Sequence, residues 1–252
     1  MSALRTGCFM RLDWAFRSPR PGVGISAALV LLAAWFAQAQ SLTPGFSNIF
    51  DGKTLVGWEG DPAYWRVENG AIVGETKPGA IPKQNTFLIW RGGSPADFEL
   101  LAEYRLTGGN SGIQYRSTEL PEIRWAMKGY QADIDVAQQY TGQIYEERGR
   151  GFLALRGQSV SIETGAKPVV LGSLGSEADL KGAINAHGWN EYHIIARGNF
   201  LVQILNGRVM SILIDDDARN HKMDGLLGIQ LHAGEPMKIE VRNIRLLTGA
   251  VQ

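Results

Sequence analysis

The sequence is almost free of cysteine. Its single cysteine, Cys8, lies ahead of an apolar run near the N-terminus. A lipoprotein cysteine would follow such a run, so lipid attachment is not expected. The remainder of the chain has no disulfide, no cysteine nucleophile and no thiolate ligand for a metal.

An excess of one charge is also missing. The chain has 25 basic and 25 acidic residues, interspersed, for a formal net charge of zero. Proteins that bind nucleic acid usually carry a basic patch or stripe. The charge pattern therefore predicts no nucleic-acid partner.

Residues 1–39 have the order of a secretory signal peptide: a basic leader, the apolar run "GVGISAALVLLAAWFA" and the small residues of Ala37-Gln38-Ala39. The alternative is a membrane anchor, but the run is short for a bilayer core of about 30 Å and no charged stop-transfer cluster follows it. We expect an exported protein, periplasmic or secreted, without membrane contact after cleavage. The sequence indicates no oligomeric state.

From residue 45 onward no long apolar stripe has the period of a helix, and alternation with period two recurs instead. In "DFELLAEYRLT" every second residue from Phe98 to Leu106 is apolar. Gly198-Asn199 and Asn206-Gly207 predict hairpin turns, and a shift in parity predicts a bulge near Asn243. Many short strands predict a single all-β domain, 45–248, as a sandwich or barrel, with a short helix or long loop within 162–188.

Three predicted strands each present a polar face of large side chains. These residues are Gln114 and Arg116, then Gln131, Asp133 and Asp135, then Gln230 and His232. Such side chains pair with sugar hydroxyls, while Tyr145, Trp90 or Trp125 is able to cover the apolar face of a sugar ring. The alternative is the solvated outer face that an antiparallel sheet has by default.

Some of these residues suggest chemistry. Two carboxylates in a row, Asp133 and Asp135, repel each other unless water, a divalent cation or a ligand lies between them. His232 has the pKa range of a general base. Glu147 and Arg150 lie in a loop-like segment that suits a site, or else form an exposed ion pair worth under about 1 kcal/mol.

Several motifs together resemble a bacterial family, the 3-keto-disaccharide hydrolases, also known as the 3-keto-glucoside lyase and hydratase domain. The resemblance rests on "GFSNIFDGKTLVGWEGDPAYWRVENGAIVGE", "NSGIQYRS", "KGYQADI", "YTGQIYEERGRGFLA", "WNEYHIIARGNFLVQILNGRVM" and "GLLGIQLHAGEPMKIEVRNIRL". It implies a concanavalin-like jelly-roll fold, a β-sandwich of two antiparallel sheets. It also implies an exported protein that acts on glucosides oxidised at carbon 3.

The implied reaction needs a base for the proton on carbon 2, a group that stabilises the enediolate oxygen, and an acid for the leaving group. We assign the role of base to Asp133 or His232 and the role of acid to Glu147. Arg116, or a divalent ion held by Asp133 and Asp135, would stabilise the oxyanion. Substrate-binding roles go to Asn110, Gln114, Arg116, Gln131, Tyr145, Arg150 and Gln230.

Two alternatives remain. One is a carbohydrate-binding module of the same fold without turnover. The other is a conventional glycosidase, in which two carboxylates such as Asp133 and Glu147 would flank the bond roughly 5 to 9 Å apart.

Overall fold

The computed structural model describes residues 45–249. The predicted signal peptide, 1–39, lies outside the described residues. Nearly all regular structure in this part of the chain is strand. The strands are β1 (Ser47–Asn48), β2 (Trp58–Glu59), β3 (Trp65–Glu68), β4 (Ala71–Glu75), β5 (Thr86–Trp90), β6 (Phe98–Thr107), β7 (Asn110–Glu119), β8 (Met127–Asp135), β9 (Ile144–Glu147), β10 (Gly151–Ala154), β11 (Gln158–Glu163), β12 (Val169–Ser173), β13 (Asn190–Arg197), β14 (Phe200–Leu205), β15 (Arg208–Asp216), β16 (Leu226–Leu231) and β17 (Lys238–Thr248).

The strands form two sheets. The first has ten strands in the order β12-β11-β15-β14-β13-β6-β17-β4-β3, with β1 paired to β17. The second has seven, in the order β10-β9-β8-β7-β16-β5-β2. Strand β11 runs parallel to β15, and the other pairs described are antiparallel. This is the predicted all-β sandwich.

A single large core lies between the sheets and follows the predicted alternation. On β6 the side chains of Phe98, Leu100, Ala102, Tyr104 and Leu106 are buried in it. The second sheet contributes alternate residues of β7, β8 and β9. Because successive side chains of a strand point to opposite faces, the residues between these core positions lie on the outer face of the second sheet.

The predicted turns and bulge are confirmed. Asn206 and Gly207 both have positive φ, at 50° and 75°, as a two-residue hairpin requires. On β17 the register shifts between Arg242 and Arg245, and Asn243 has φ 52°. The segment that sequence left open holds β12 and helix α1 (Glu177–Gly182). Within 45–249, no helix is long and apolar enough to cross a membrane.

Candidate active site

The outer face of the seven-stranded sheet carries a pocket of about 250 Å³. Ten residues line it: Asn85, Asn110, Gln131, Asp133, Tyr140, Tyr145, Glu147, Phe152, Gln230 and His232. Seven of these are predicted site residues, from β7, β8, β9 and β16 and from the residue after β16. Strand phase thus brings together side chains that are up to 122 residues apart in sequence (Asn110 to His232).

The pocket lining is polar but shielded from bulk water. Gln131 is 3%, Asp133 4% and Gln230 1% exposed. A solvated outer face would leave such side chains open. The polar face of this sheet is therefore a built surface whose groups depend on one another for hydrogen bonds.

A continuous chain of hydrogen bonds joins the two carboxylates of the pocket. Gln131 Nε2 donates to Asp133 Oδ1 at 2.6 Å. Gln230 Nε2 donates to Gln131 Oε1 at 2.9 Å and to Glu147 Oε2 at 3.3 Å. Asn85 Nδ2 donates to both oxygens of Glu147, at 3.3 and 3.4 Å. Two glutamines thus fix the positions of both carboxylates.

The electrostatics of the pocket favour proton transfer near neutral pH. Burial raises the pKa of Asp133 to about 8; the negative charges of Asp135 and Glu147 act in the same direction, and the hydrogen bond from Gln131 opposes them. Burial also raises the pKa of Glu147, against the hydrogen bonds from Asn85 and Gln230 and the charge of Arg148. Burial lowers the pKa of His232, so its imidazole is neutral at pH 7.

The backbone at Asp133 is held from the opposite sheet. The hydroxyl of Tyr192 on β13 donates to the carbonyl oxygen of Asp133 at 2.7 Å and accepts from the amide of Gly142 at 2.9 Å. Tyr192 is fully buried and stacks on Tyr104, with ring centroids 5.5 Å apart. The position of Asp133 is therefore tied to the core.

Arg116 is not in the pocket, which corrects its predicted role. A bulge shifts the register of β7 between Tyr115 and Thr118, and Arg116 takes φ 45° there, which breaks the alternation. Its guanidinium donates to the carbonyl oxygens of Ala96, Gly198 and Lys222. Arg116 thus ties loops together, and the stabiliser of an oxyanion has to come from other residues.

Arg150 also lies elsewhere. Its guanidinium donates to both oxygens of Asp215, at 2.9 and 2.6 Å, and to Glu146 at 2.5 Å. Asp215 in turn accepts a hydrogen bond from Tyr130, whose ring is in the core. Glu147 and Arg150 therefore do not form an ion pair: they belong to opposite faces of the sheet.

Asp135 and Gln114 do not line the pocket either, and of the three aromatic candidates Tyr145 lines it while Trp90 and Trp125 do not. The carboxylate of Asp135 accepts from the amides of Gln139, Tyr140 and Thr141 and from the Thr141 hydroxyl, so it closes a turn. Among residues 45–249, no cluster of three or more His, Cys, Asp or Glu is arranged for a metal ion. Gln114 lies opposite Gln131 on the site face but is fully buried.

Three lining residues were missed by the sequence analysis: Asn85, Tyr140 and Phe152. Asn85 precedes β5 and Tyr140 lies between β8 and β9, so no strand parity marks them. Phe152 is different, because it follows Tyr145 across a short hairpin and pairs with it directly. The turn glycines Gly149 and Gly151 were the available signal for that hairpin.

Comparisons with known proteins agree with the β-sandwich fold. The family model described as the 3-keto-alpha-glucoside-1,2-lyase-like domain matches residues 45–247. The chain belongs to this family. A comparison with curated proteins gave no match.

Solved structures are similar in fold. Two from Parabacteroides distasonis, both provisionally named glycosyl hydrolases, have TM-scores of 0.54 and 0.53 at 18% identity; 81% and 82% of this chain aligns with 99% and 94% of theirs. A Bacillus subtilis protein of unknown function with a galectin-like fold has a TM-score of 0.50 at 10% identity, covering 77% of this chain and 90% of its own. These likenesses confirm the jelly-roll sandwich and nothing finer.

Proposed function

We propose that this protein is an exported enzyme that cleaves 3-keto-glucosides at the glycosidic bond, starting with removal of the proton on carbon 2. The family supports this reaction, since its description names a 3-keto-alpha-glucoside lyase. The observation that carries the proposal is the pair of buried carboxylates, Asp133 and Glu147, joined by two glutamines in one pocket.

The first step uses the acidity that a ketone at carbon 3 confers on the proton of carbon 2. Asp133 takes this proton, and the electron pair forms an enediolate between carbons 2 and 3. A base works best when its pKa is near the operating pH, and a pKa of about 8 meets that condition. With Arg116 outside the pocket, we assign donation to the oxygen on carbon 3 to Asn110 and neutral His232, which line the pocket with Asp133.

In the second step the enediolate re-forms the ketone, a double bond forms between carbons 1 and 2, and the bond from carbon 1 to the aglycone oxygen breaks. Glu147 gives its proton to that oxygen; burial raises the pKa of Glu147, which favours its protonated form. Water then adds to carbon 1 and a proton returns to carbon 2. The net result is hydrolysis to a free 3-keto sugar.

Turnover assays test the proposal. The protein is incubated with a 3-keto-glucoside and with the unoxidised parent, and aglycone release is measured. We expect release from the keto sugar alone, and a loss of at least about a hundredfold in Asp133→Asn, the usual scale of a general base. Binding without release would make the protein a carbohydrate-binding module. Release from the parent would make it a conventional glycosidase.

The pH profile tests the role of Asp133. When removal of the carbon 2 proton limits the rate, only the base titrates in kcat/KM, which should then rise about tenfold per pH unit below pH 8 and level off above the Asp133 pKa of about 8. A profile that falls through this range would show that Asp133 acts as the acid instead.

Activity retained after EDTA treatment would agree with stabilisation by protein groups alone.

Export is tested separately. We expect the mature protein in the periplasm or medium, with its N-terminus near Gln40. N-terminal sequencing of the isolated protein checks this expectation, and a retained leader would contradict it.

A further inference from the structure

The pocket has one aromatic end. Its polar lining residues come from the β5 side of the sheet through β16, β7, β8 and β9. Its aromatic residues are Tyr145 on β9, Phe152 on the edge strand β10 and Tyr140 in the connection before β9. The composition of the pocket therefore changes across the sheet, from amides and carboxylates to rings.

The strand register sets the distance between the two ends. Gln131 pairs with Tyr145, and Tyr145 pairs with Phe152, on three adjacent strands. Neighbouring strands are about 4.8 Å apart, so the backbone of Phe152 lies roughly 10 Å from that of Gln131. A sugar ring held over Gln131 and Asp133 carries its aglycone on carbon 1. An aglycone that points towards β10 would cover this distance of roughly 10 Å and contact Phe152.

The three rings form one surface. Tyr140 and Phe152 are stacked, with centroids 5.6 Å apart and planes at 19°. Tyr145 meets Phe152 edge to face at 5.0 Å. Phe152 stays 43% exposed despite these contacts. A phenylalanine that is packed on two sides and still open towards a pocket is suited to stack on a flat ligand.

The aromatic end offers few hydrogen bonds. Its side-chain polar groups are the hydroxyls of Tyr140 and Tyr145. A second sugar would bring several hydroxyls that need partners, whereas a planar apolar ring would need none. Tyr145 could also cover the face of a second sugar, but the hydroxyls of that sugar would find few partners here, so an aromatic ring matches this end better.

Resting on the proposed function, we propose that Tyr140, Tyr145 and Phe152 form an aglycone subsite, and that the substrates include 3-keto-glucosides with an aromatic aglycone such as a phenol. The keto sugar lies at the polar end, and the phenyl ring stacks at the aromatic end. The subsite then contributes to specificity without taking part in the chemistry.

The test compares phenyl and methyl 3-keto-glucosides of the same anomeric configuration. Phenol is a better leaving group than methanol in any enzyme, so the absolute preference for the phenyl compound is not informative. For each protein we therefore take kcat/KM for the phenyl compound divided by kcat/KM for the methyl compound, and we compare this ratio between each variant and the unmodified protein. We expect Phe152→Ala to lower this ratio about three- to tenfold, the scale of an aromatic pair, and Phe152→Trp to retain it. Phe200→Ala is the matched control, because Phe200 is 38% exposed on β14 of the other sheet.

The outcomes separate the two proposals. A ratio unchanged in Phe152→Ala, or equal losses for both substrates, would overturn the aglycone subsite and leave the reaction standing. If the unmodified protein cleaves neither compound, the proposed function fails. The subsite is then judged by calorimetry on the same pair: tighter binding of the phenyl compound that is lost in Phe152→Ala supports it, and equal affinity overturns it.

Discussion

At the scale of single residues, Asp133 has the most consequences. It lies in the pocket on the outer face of β8 and is only 4% exposed, and a carboxylate in such a place is unfavourable when ionised. Its folded pKa of about 8 lies above its usual value of 3.8. Between these values the folded protein holds a proton that the unfolded chain releases, so the free energy of unfolding decreases as pH rises through this range and levels off above it.

Asp133→Asn should remove this pH dependence. An asparagine keeps an oxygen for the hydrogen bond from Gln131 but carries no charge to desolvate. We expect the variant and the unmodified protein to have similar melting temperatures near pH 4, where the loss has barely begun, and the variant to be the more stable at pH 9. Thermal unfolding at both pH values checks this. Equal stability at pH 9 would mean that the Asp133 carboxylate is not penalised by burial.

At the scale of strands, the site depends on a missing side chain. Gly112 on β7 lies opposite Asp133 and beside Gln131. A Cβ there would lie 2.5 Å from Cγ and Cδ of Gln131, closer than real contacts. The backbone of β7 thus leaves the space through which the Gln131 side chain reaches both Asp133 and Gln230.

Gly112→Ala should therefore displace Gln131. We expect turnover of a 3-keto-glucoside to fall at least tenfold, because a positioning residue about an ångström out of place costs up to about a hundredfold. The matched control is Gly172→Ala on the exposed strand β12, where a Cβ meets nothing within 4 Å. Steady-state kinetics of both variants check this. Unaltered kinetics in Gly112→Ala would show that Gln131 has no positioning role.

At the scale of the whole sandwich, the two sheets meet at the site through Tyr192. Its hydroxyl bridges the Asp133 carbonyl and the Gly142 amide, and it comes from the sheet that does not carry the pocket. Its neighbour Tyr104 is buried too, but the Tyr104 hydroxyl has no hydrogen-bond partner among the described residues. Removing the hydroxyl from each of these two stacked tyrosines should therefore change the free energy of unfolding in different ways.

Tyr192→Phe should lower the free energy of unfolding by about 1–3 kcal/mol, since it removes a buried hydroxyl that bonds both groups and leaves only the longer 3.3 Å bond from the Gly142 amide to the Asp133 carbonyl. It should also lower kcat, because Asp133 loses its support from the core. Tyr104→Phe should be neutral or stabilising, since it removes a hydroxyl that is buried without a partner. Urea unfolding and kinetics of both variants measure the difference. A larger loss in Tyr104→Phe would contradict this account of the interface.

The sequence by itself determined which side chains share a face. Alternation on β6, β8 and β16, the turn at Asn206-Gly207 and the bulge at Asn243 all follow from local backbone geometry, which a sequence pattern records directly. That is why seven of the pocket's residues could be predicted, and why the family was recognisable from its motifs.

Only the tertiary structure decided what each polar side chain pairs with. Arg116 lies at a bulge and donates to backbone carbonyls, and Arg150 pairs with Asp215 on another strand. Asp135 accepts hydrogen bonds from the amides of the turn that follows it. Asn85 and Phe152 joined the pocket from a loop and an edge strand. Hydrogen-bond partners and burial depend on which distant segments fold next to each other, and a period-two pattern along one strand contains no information about its neighbours.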